Sequence, residues 1–221
     1  MLNYPCLILD HDDTVVRSEA TVNYPSFCAA LEVLRPGQTI ALNDFTQHCF
    51  SPGFQDLCYR YFGFSDAEMD IQFHMWLNYV RAHGPPAFDG MAELIRRQQA
   101  EGGLVCVVSH SMEENILRDY QTHFGTQPDA IFGWECGDGK RKPSPYPLDV
   151  IMERYGLNPN QLLMVDDLKP GLDMADSRGV DFVFAGWGRT NVPQVAEYME
   201  LHCKHCFYAV RELYDFLFAE T

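Results

Sequence analysis

The sequence has no apolar run that approaches the roughly 20 residues needed to cross a bilayer, and it is poor in basic residues. Its 16 Lys and Arg are outnumbered by 31 Asp and Glu, which gives a formal net charge of -15, and only four of the basic residues are lysines. Because nucleic acids and anionic membranes are bound by clustered Lys and Arg, we expect neither as a partner. Internal repeats and low-complexity segments are absent as well.

The first residues carry no basic region ahead of an apolar one, so no signal peptide is expected. Eight cysteines are present, and several lie within apolar patterns where a free thiol behaves as a small hydrophobe: Cys6, Cys28, Cys58 and Cys106. This placement favours a reducing, cytoplasmic location. With 221 residues, 47% of them hydrophobic, the chain can form one large domain, or a core domain and a smaller second domain.

An acidic loop follows the first apolar run of the chain. Residues 6–9 predict a short strand buried on both faces, and Asp10-His-Asp-Asp-Thr14 comes directly after it. Carboxylates this close repel one another and raise each other's pKa. A bound cation would compensate for this repulsion, and a role in proton transfer would make use of the raised pKa. The alternative is a solvated acidic turn that merely leaves a strand.

The stretch from 18 to 86 shows no alternation of the kind that strands have. Its apolar residues are spaced by three and four, which predicts helices over 25–34, 41–49, 55–62 and 66–83. Ser65 and Glu68 have the spacing of a capping box at the start of the last helix. The sequence therefore predicts a helical insert that closes at Gly84-Pro-Pro86.

From residue 87 onward, predicted helices and strands alternate. Apolar strands are predicted over 104–108, 130–133, 162–165 and 181–185, and helices over 90–100, 112–124, 146–155, 172–177 and 210–218. Strands separated by helices imply right-handed crossovers and a parallel sheet covered on both faces. The expected fold class is therefore α/β.

Residues able to handle phosphate or metal follow four of the apolar runs: Asp10 and Asp12, Ser109, Lys142, and Asp166-Asp167. Together they offer a carboxylate nucleophile, a second carboxylate for proton transfer, a hydroxyl and an ammonium for anionic oxygens, and distant carboxylates for a divalent cation. These are the needs of phosphoryl transfer, in which positioning and charge neutralisation supply most of the catalysis.

This ordered set resembles the four motifs of the haloacid dehalogenase superfamily of magnesium-dependent phosphatases, as Asp10-x-Asp12-x-Thr14, Ser109, Lys142-Pro-Ser-Pro145 and Asp166-Asp167. The segment Ala185-Gly-Trp-Gly188 is similar to the phosphoglycolate phosphatase-like branch. The resemblance implies a doubly wound, Rossmann-like parallel sheet built from residues 1–17 and 87–221. It also implies an inserted all-helical cap of the first (C1) type over residues 18–86.

The resemblance also implies roles for single residues. Asp10 would be the nucleophile that becomes an aspartyl-phosphate, and Asp12 would protonate the leaving alcohol and then activate water. The phosphate-binding residues would be Ser109, His110, Lys142 and Thr14, with Thr14 supporting the loop and Lys142 neutralising charge. The expected reaction is hydrolysis of a small phosphorylated metabolite.

The implied cofactor is Mg2+, held by a carboxylate oxygen of Asp10, the backbone carbonyl of Asp12 and the carboxylate of Asp167, with Asp166 nearby. Two positions depart from the family pattern. Asp13 stands where Gly is usual, so a left-handed or bridge-region Asp is expected there. Gly171 stands where some relatives have a further Asp.

The same residues allow two alternative functions. A catalytically silent binding or regulatory protein is one alternative, motivated by the two departures. A sugar phosphomutase-type phosphotransferase is another, although such relatives usually carry a His where this chain has Thr21-Val-Asn-Tyr24. A ligand role for His11 is open, but its side chain is expected to turn toward the cap entrance or the core. The run His202-Cys203-Lys-His-Cys206 allows a zinc interpretation, but neighbouring residues alone would make a cramped site.

Overall fold

A six-stranded parallel sheet forms the centre of the molecule. The computed structural model describes residues 2–189 and 192–219. The strands are β1 (Cys6–Leu9), β2 (Leu104–Val108), β3 (Ala130–Phe132), β4 (Leu162–Asp166), β5 (Asp181–Ala185) and β6 (His205–Phe207). Their order in the sheet is β3-β2-β1-β4-β5-β6, and every neighbouring pair is parallel. The predicted α/β, doubly wound class is confirmed.

Helices cover both faces of the sheet. The α-helices of the described residues are α1 (Tyr24–Leu34), α2 (Leu42–His48), α3 (Phe54–Asp56), α4 (Asp66–Ala82), α5 (Met91–Ala100), α6 (Glu113–Phe124), α7 (Tyr146–Tyr155), α8 (Lys169–Asp176), α9 (Pro193–His202) and α10 (Val210–Phe218), of which α5 to α10 cover the sheet. Helices α5, α6 and α10 pack on the face that carries Leu7 and Leu9, and α7, α8 and α9 pack on the face that carries Cys6 and Ile8. Since neither face meets water, the strands are apolar at nearly every position.

The register of the central strands sets the position of the acidic loop. Leu9 at the end of β1 lies opposite Val107 in β2 and Val165 in β4. The residues that follow these three strands therefore emerge at one edge of the sheet, where ligands bind in open parallel sheets.

Between β1 and α5 the chain forms a helical segment, α1 to α4, joined partly by π-helical turns at Glu19–Asn23 and Leu57–Tyr61. It has its own apolar cluster around Phe27. The N–H of Arg17 donates to the carbonyl of Pro86 at 2.9 Å, so the chain leaves the sheet and returns to it at adjacent points. The division into domains at 18–86 stays a prediction.

Two elements near the C-terminus were not predicted, α9 and β6. Strand β6 is three half-buried residues at the edge of the sheet and has no apolar run. Helix α9 starts with Pro193, whose missing N–H is tolerated only in the first turn. Helix α8 also begins earlier than predicted, at Lys169. Weak apolar patterns explain the first two differences.

All eight cysteines are free thiols. The Sγ atoms of Cys6 and Cys106, both buried between strands, are 3.9 Å apart. Across the described residues, the structure contains no helix with the length and apolar character that crossing a bilayer requires.

Candidate active site

The acidic loop after β1 lies at the carboxyl end of the sheet. The N–H of Asp10 donates to the carbonyl of Val165 at 2.9 Å, which continues the pairing of β1 with β4 by one residue. Asp10 is buried, whereas Asp12 is half-buried, and both line the same cavity. The sheet thus fixes the first carboxylate and leaves the second more accessible.

Lys142 places a positive charge beside Asp10. It lies in the loop before α7, and its Nζ is 2.8 Å from Oδ1 of Asp10 and 2.5 Å from Oδ2 of Asp166. Burial by itself raises the pKa of Asp10, but the charge and hydrogen bond of Lys142 outweigh it, so that pKa lies below its usual value. Burial lowers the pKa of Lys142, and the two carboxylates raise it above its usual value. The pair is therefore charged at neutral pH.

Ser109 and His110 follow β2 at the same edge. The N–H of Ser109 donates to the carbonyl of Phe132 at 3.0 Å, and its side chain lies near Asp10, where it adds to the effect of Lys142 in lowering the pKa of that carboxyl. Nε2 of His110 donates to the carbonyl of Lys142 at 3.1 Å, so this nitrogen carries the ring proton. Partial burial and the charge of Lys142 lower the pKa of His110, which keeps the ring neutral.

Asp166 ends β4 and Asp167 follows it, and both are fully buried. Both oxygens of Asp166 are engaged, because Oδ2 accepts from Lys142 and Oδ1 accepts from the N–H of Leu168 at 2.9 Å. Burial, only partly offset by Lys142, raises the pKa of Asp166 to about 6. Burial, offset in part by Arg189, also raises the pKa of Asp167 well above its usual value. These carboxylates lack sufficient positive charge around them.

Gly171 is required by the position of Asp166. A Cβ at residue 171 would lie 2.2 Å from Oδ2 of Asp166, a separation at which the two side chains cannot coexist. The departure from the family pattern at this position thus has a local cause, since Asp166 fills the space.

Arg189, which sequence analysis missed, supplies a second buried positive charge. It follows the turn Gly186–Gly188 after β5, and its Nη2 is 2.5 Å from Oδ2 of Asp167. Its Nη1 lies 3.4 Å from Oδ2 of Asp13 and 3.8 Å from Oε1 of Glu19. Its only signal in the sequence is its place directly after a glycine-rich motif, which does not reveal its partners.

Asp13 adopts a left-handed backbone conformation with φ at 54°, as the missing glycine predicts. Its carboxylate accepts from the N–H of Glu19 at 3.1 Å, and Arg189 lies beside it. The carbonyl of Asp13 also approaches Gly188 so closely that a Cβ there would lie 1.9 Å from the oxygen. Hydrogen bonding and charge pairing therefore hold a conformation that glycine would adopt freely.

A cavity of about 140 Å³ brings most of the predicted residues together. It is lined by Asp10, Asp12, Asp13, Glu19, Ser109, His110, Lys142, Asp167, Leu168, Pro170 and Arg189. Two predicted residues do not line it. Asp166 lies outside the lining and accepts a hydrogen bond from Nζ of Lys142. Thr14 is fully buried and donates to Oδ1 of Asp167 at 3.4 Å. Thr14 thus supports Asp167, and the expectation that it contacts phosphate does not fit its position.

The three buried aspartates fit a metal ion. Asp10, Asp166 and Asp167 each offer a carboxylate oxygen, and these oxygens lie within 4.8 Å of one another. Hard divalent cations prefer such oxygen ligands. Burial raises the pKa of Asp166 and Asp167, and Lys142 and Arg189 offset this only in part, so a cation bound here would favour the ionised carboxylates.

The other histidines singled out in the sequence are used in packing. His11 is buried with Nε2 3.1 Å from Oδ2 of Asp119, so its side chain is turned into the core, as expected. His202 stacks on Tyr198 with ring centroids 4.3 Å apart, and His205 packs against Phe216 at 4.8 Å. Among the described residues, the aspartate cluster is the group that can hold a metal.

Comparison with known proteins places these features in a family. Residues 7–185 match the model of the haloacid dehalogenase-like hydrolases. No curated protein sequence matches significantly. The fold is similar to a protein of Bacteroides fragilis described as a haloacid dehalogenase-like hydrolase, with 18% identity, a TM-score of 0.77 and coverage of 95% of this chain and 99% of that one.

Two further solved structures share the fold at low identity. A predicted phosphoglycolate phosphatase of Haemophilus somnus has 18% identity and a TM-score of 0.68, over 83% of this chain and 86% of that one. CbbY of Rhodobacter sphaeroides, solved as a variant with xylulose-(1,5)bisphosphate, has 14% identity and a TM-score of 0.71, over 96% of each chain.

Proposed function

The chain belongs to the haloacid dehalogenase-like hydrolase family, and on this premise we propose that it is a magnesium-dependent phosphomonoester hydrolase. Its substrate is a small phosphorylated metabolite, and the reaction passes through an aspartyl-phosphate on Asp10. The observation that carries the proposal is the buried ion pair between Asp10 and Lys142 in a cavity shared with Ser109 and Asp12.

Asp10 is suited to act as the nucleophile. Burial disfavours the ionised form of a carboxylate unless a positive charge lies nearby, and Nζ of Lys142 at 2.8 Å keeps Asp10 ionised. The ammonium of Lys142 and the hydroxyl of Ser109 face the same cavity and would bind the oxygens of the transferring phosphoryl group. His110, with its proton on the nitrogen that binds the Lys142 carbonyl, would hold the loop that carries this lysine.

Asp12 would move the proton. In the first step an oxygen of Asp10 bonds to phosphorus, the bond from phosphorus to the alcohol oxygen breaks, and Asp12 gives its proton to that oxygen. In the second step Asp12 takes a proton from water as the water oxygen attacks phosphorus. Inorganic phosphate leaves, and the carboxylate of Asp10 is regenerated.

The metal would be held by Asp10 and Asp167, with Asp166 orienting the set through Lys142. When bound, it supplies positive charge that offsets both the carboxylates and the phosphate. The residues of the chain alone leave this charge uncompensated, which is why we assign a cofactor to the site.

The helical segment would act as a cap. Glu19, from its first turn, lines the cavity together with residues of the sheet edge. A cover of this kind excludes bulk water, which would otherwise weaken the electrostatic interactions. The same cover limits the substrate to small molecules.

The alternative of a catalytically silent protein rested on Asp13 and Gly171. Asp13 is held by Arg189 and the N–H of Glu19, and Gly171 makes room for Asp166. Neither departure removes a group that the reaction uses, so both are compatible with catalysis.

The test is hydrolysis of a generic aryl phosphate by the purified protein, with magnesium and with a chelator. We expect magnesium-dependent turnover that Asp10→Asn abolishes, whereas Asp70→Asn, on the exposed side of α4, leaves it unchanged. Turnover that survives Asp10→Asn would show that Asp10 is not the nucleophile. Failure to turn over this ester or any of a panel of phosphometabolites would favour the silent alternative.

A further inference from the structure

A second cavity of about 300 Å³ adjoins the proposed catalytic one. Glu19 and His110 line both cavities, so the two meet at these residues. The other lining residues of the second cavity are Asn23, Phe45, Cys49, Phe54, Gln72, Phe73, Trp76, Met112 and Trp134. Most come from the helical segment, and the rest follow β2 and β3.

The wall of this second cavity, as far as the structure describes it, contains no Lys or Arg. Its one histidine, His110, is kept neutral by a lowered pKa, and burial raises the pKa of the Cys49 thiol, so this group is uncharged as well. Arg141 stacks over Trp134 at 3.5 Å but pairs with Asp138 and does not line the cavity. The only charged group in the wall is therefore the carboxylate of Glu19.

The aromatic rings make this cavity an apolar slot. Phe73 and Trp76 lie together on α4 with ring centroids 5.8 Å apart, and the indole N–H of Trp76 donates to Asn23 at 2.9 Å. The polar atom of the indole is thus satisfied, and its carbon face is available to a ligand. An apolar cavity of about 150 Å³ suffices to bind benzene. A slot twice as large accepts a group with one or two rings.

Resting on the proposed function, we infer that the second cavity binds the leaving group of the substrate and that this group is uncharged and aromatic or similarly apolar. With the phosphoryl group in the catalytic cavity, which Asp10, Ser109 and Lys142 line, the alcohol portion passes between Glu19 and His110 into the aromatic slot. A leaving group that carries a carboxylate or a second phosphate would enter a wall that offers no Lys or Arg and would lie next to Glu19. The inferred leaving group therefore differs from phosphoglycolate and xylulose-(1,5)bisphosphate, the compounds with which two structures of this fold were named or solved.

The test compares primary alkyl phosphates, whose leaving alcohols are chemically alike, under saturating magnesium. The esters are 2-phenylethyl phosphate, the phosphate ester of 3-hydroxypropionate, and glycerol phosphate as a small neutral reference. Burial of a phenyl group predicts a kcat/KM for the aromatic ester about 10–100-fold above that of glycerol phosphate. The carboxylate ester is expected to be the poorest of the three.

Variants on α4 test the location of the slot. Phe73 is 39% exposed, so an arginine there can be solvated without disrupting the fold. Phe73→Arg is expected to lower kcat/KM for the aromatic ester and raise it for the carboxylate ester, by about tenfold each. The matched control is Ile71→Arg, which adds the same charge at a 44% exposed position outside the slot and should change neither value.

The outcomes separate the two proposals. If the wild-type protein hydrolyses the carboxylate ester as well as or better than the aromatic one, the apolar leaving group is refuted, while hydrolysis of either ester still supports the phosphatase. If Phe73→Arg leaves the ratio of kcat/KM between the aromatic and the carboxylate ester unchanged, the slot does not bind the substrate. No magnesium-dependent turnover of any ester would overturn the proposed function and this inference together.

Discussion

Asp166 and Asp167 are neighbours in sequence with different surroundings. Asp166 uses both carboxylate oxygens on protein donors, Lys142 and the N–H of Leu168, and it does not line the catalytic cavity. Asp167 lines that cavity, and its partners are the hydroxyl of Thr14 and the guanidinium of Arg189. Successive side chains diverge as a strand leaves the sheet, so we expect Asp167 to bind the metal directly and Asp166 to orient the set.

We therefore predict that Asp167→Ala raises the magnesium concentration needed for half-maximal activity far more than Asp166→Ala does. Loss of a residue that only orients the ligands is expected to cost about 10–100-fold in metal affinity. A magnesium titration of both variants measures the difference. The reverse order would move the direct ligand to Asp166, and no change in either would place the metal elsewhere.

At the scale of single elements, helix α4 carries both an N-terminal cap and an ion pair on the same glutamate. Ser65 and Glu68 form the predicted capping box, which is confirmed. Glu68 also pairs with Arg35 at 2.6 Å, and this links α4 to the end of α1. The hydrogen bond from Arg35, helped by the N–H of Ser65, lowers the pKa of Glu68 to about 2.

Two substitutions separate these roles. Ser65→Ala removes the cap and is expected to lower the free energy of unfolding by about 0.5–2 kcal/mol at neutral pH. Glu68→Gln keeps an acceptor for the N–H of Ser65 but removes the charge. Because the pKa of Glu68 is depressed by folding, its stabilisation is present above the ordinary pKa of a glutamate and is lost as pH falls toward 2. Urea unfolding at neutral and acidic pH should show that Glu68→Gln removes this part of the pH dependence. Equal pH profiles for Glu68→Gln and the wild type would contradict it.

The extent to which sequence predicts an element depends on where its stabilising contacts lie. Strands β1, β2 and β5 have the predicted bounds because burial on both faces makes their apolar runs continuous. Strand β6 lacks such a run, since edge position and half-burial remove the constraint. The residues Asp10, Ser109 and Lys142 could be found because each follows or belongs to a motif. Arg189 could not, because its partners are residues 13, 19 and 167, which only the folded sheet brings together.

On the scale of the whole molecule, Arg189 joins three parts of the chain. Its guanidinium contacts Asp13 in the loop after β1, Glu19 at the start of the helical segment and Asp167 after β4. The attraction of these acidic groups holds the pKa of Arg189 above its usual value despite burial, so the charge is permanent. Removal of one partner from a buried ionic cluster leaves uncompensated charge, which costs more than loss of an exposed pair.

We expect Arg189→Met, which keeps much of the side-chain volume, to destabilise the fold by about 3–5 kcal/mol. For a chain of 221 residues this corresponds to a fall in Tm of about 6–20 °C. The matched control is Arg211→Met, since Arg211 forms an exposed pair with Asp215 at 2.8 Å that is expected to contribute only about 0–1 kcal/mol. Thermal unfolding followed by circular dichroism measures both.

A second substitution identifies the source of the loss. Asp13→Gly in the Arg189→Met background removes one uncompensated carboxylate and places at φ 54° the residue that tolerates it best. The double variant should therefore be more stable than the sum of the single effects, by a coupling of about 0.5–3 kcal/mol. Magnesium should likewise raise the Tm of Arg189→Met more than that of the wild type, because a divalent cation near Asp167 replaces the lost charge, and a sodium salt of equal ionic strength should not. If the effects of the two substitutions are additive and magnesium does not raise the Tm of Arg189→Met more than that of the wild type, Arg189 stabilises the molecule by packing alone.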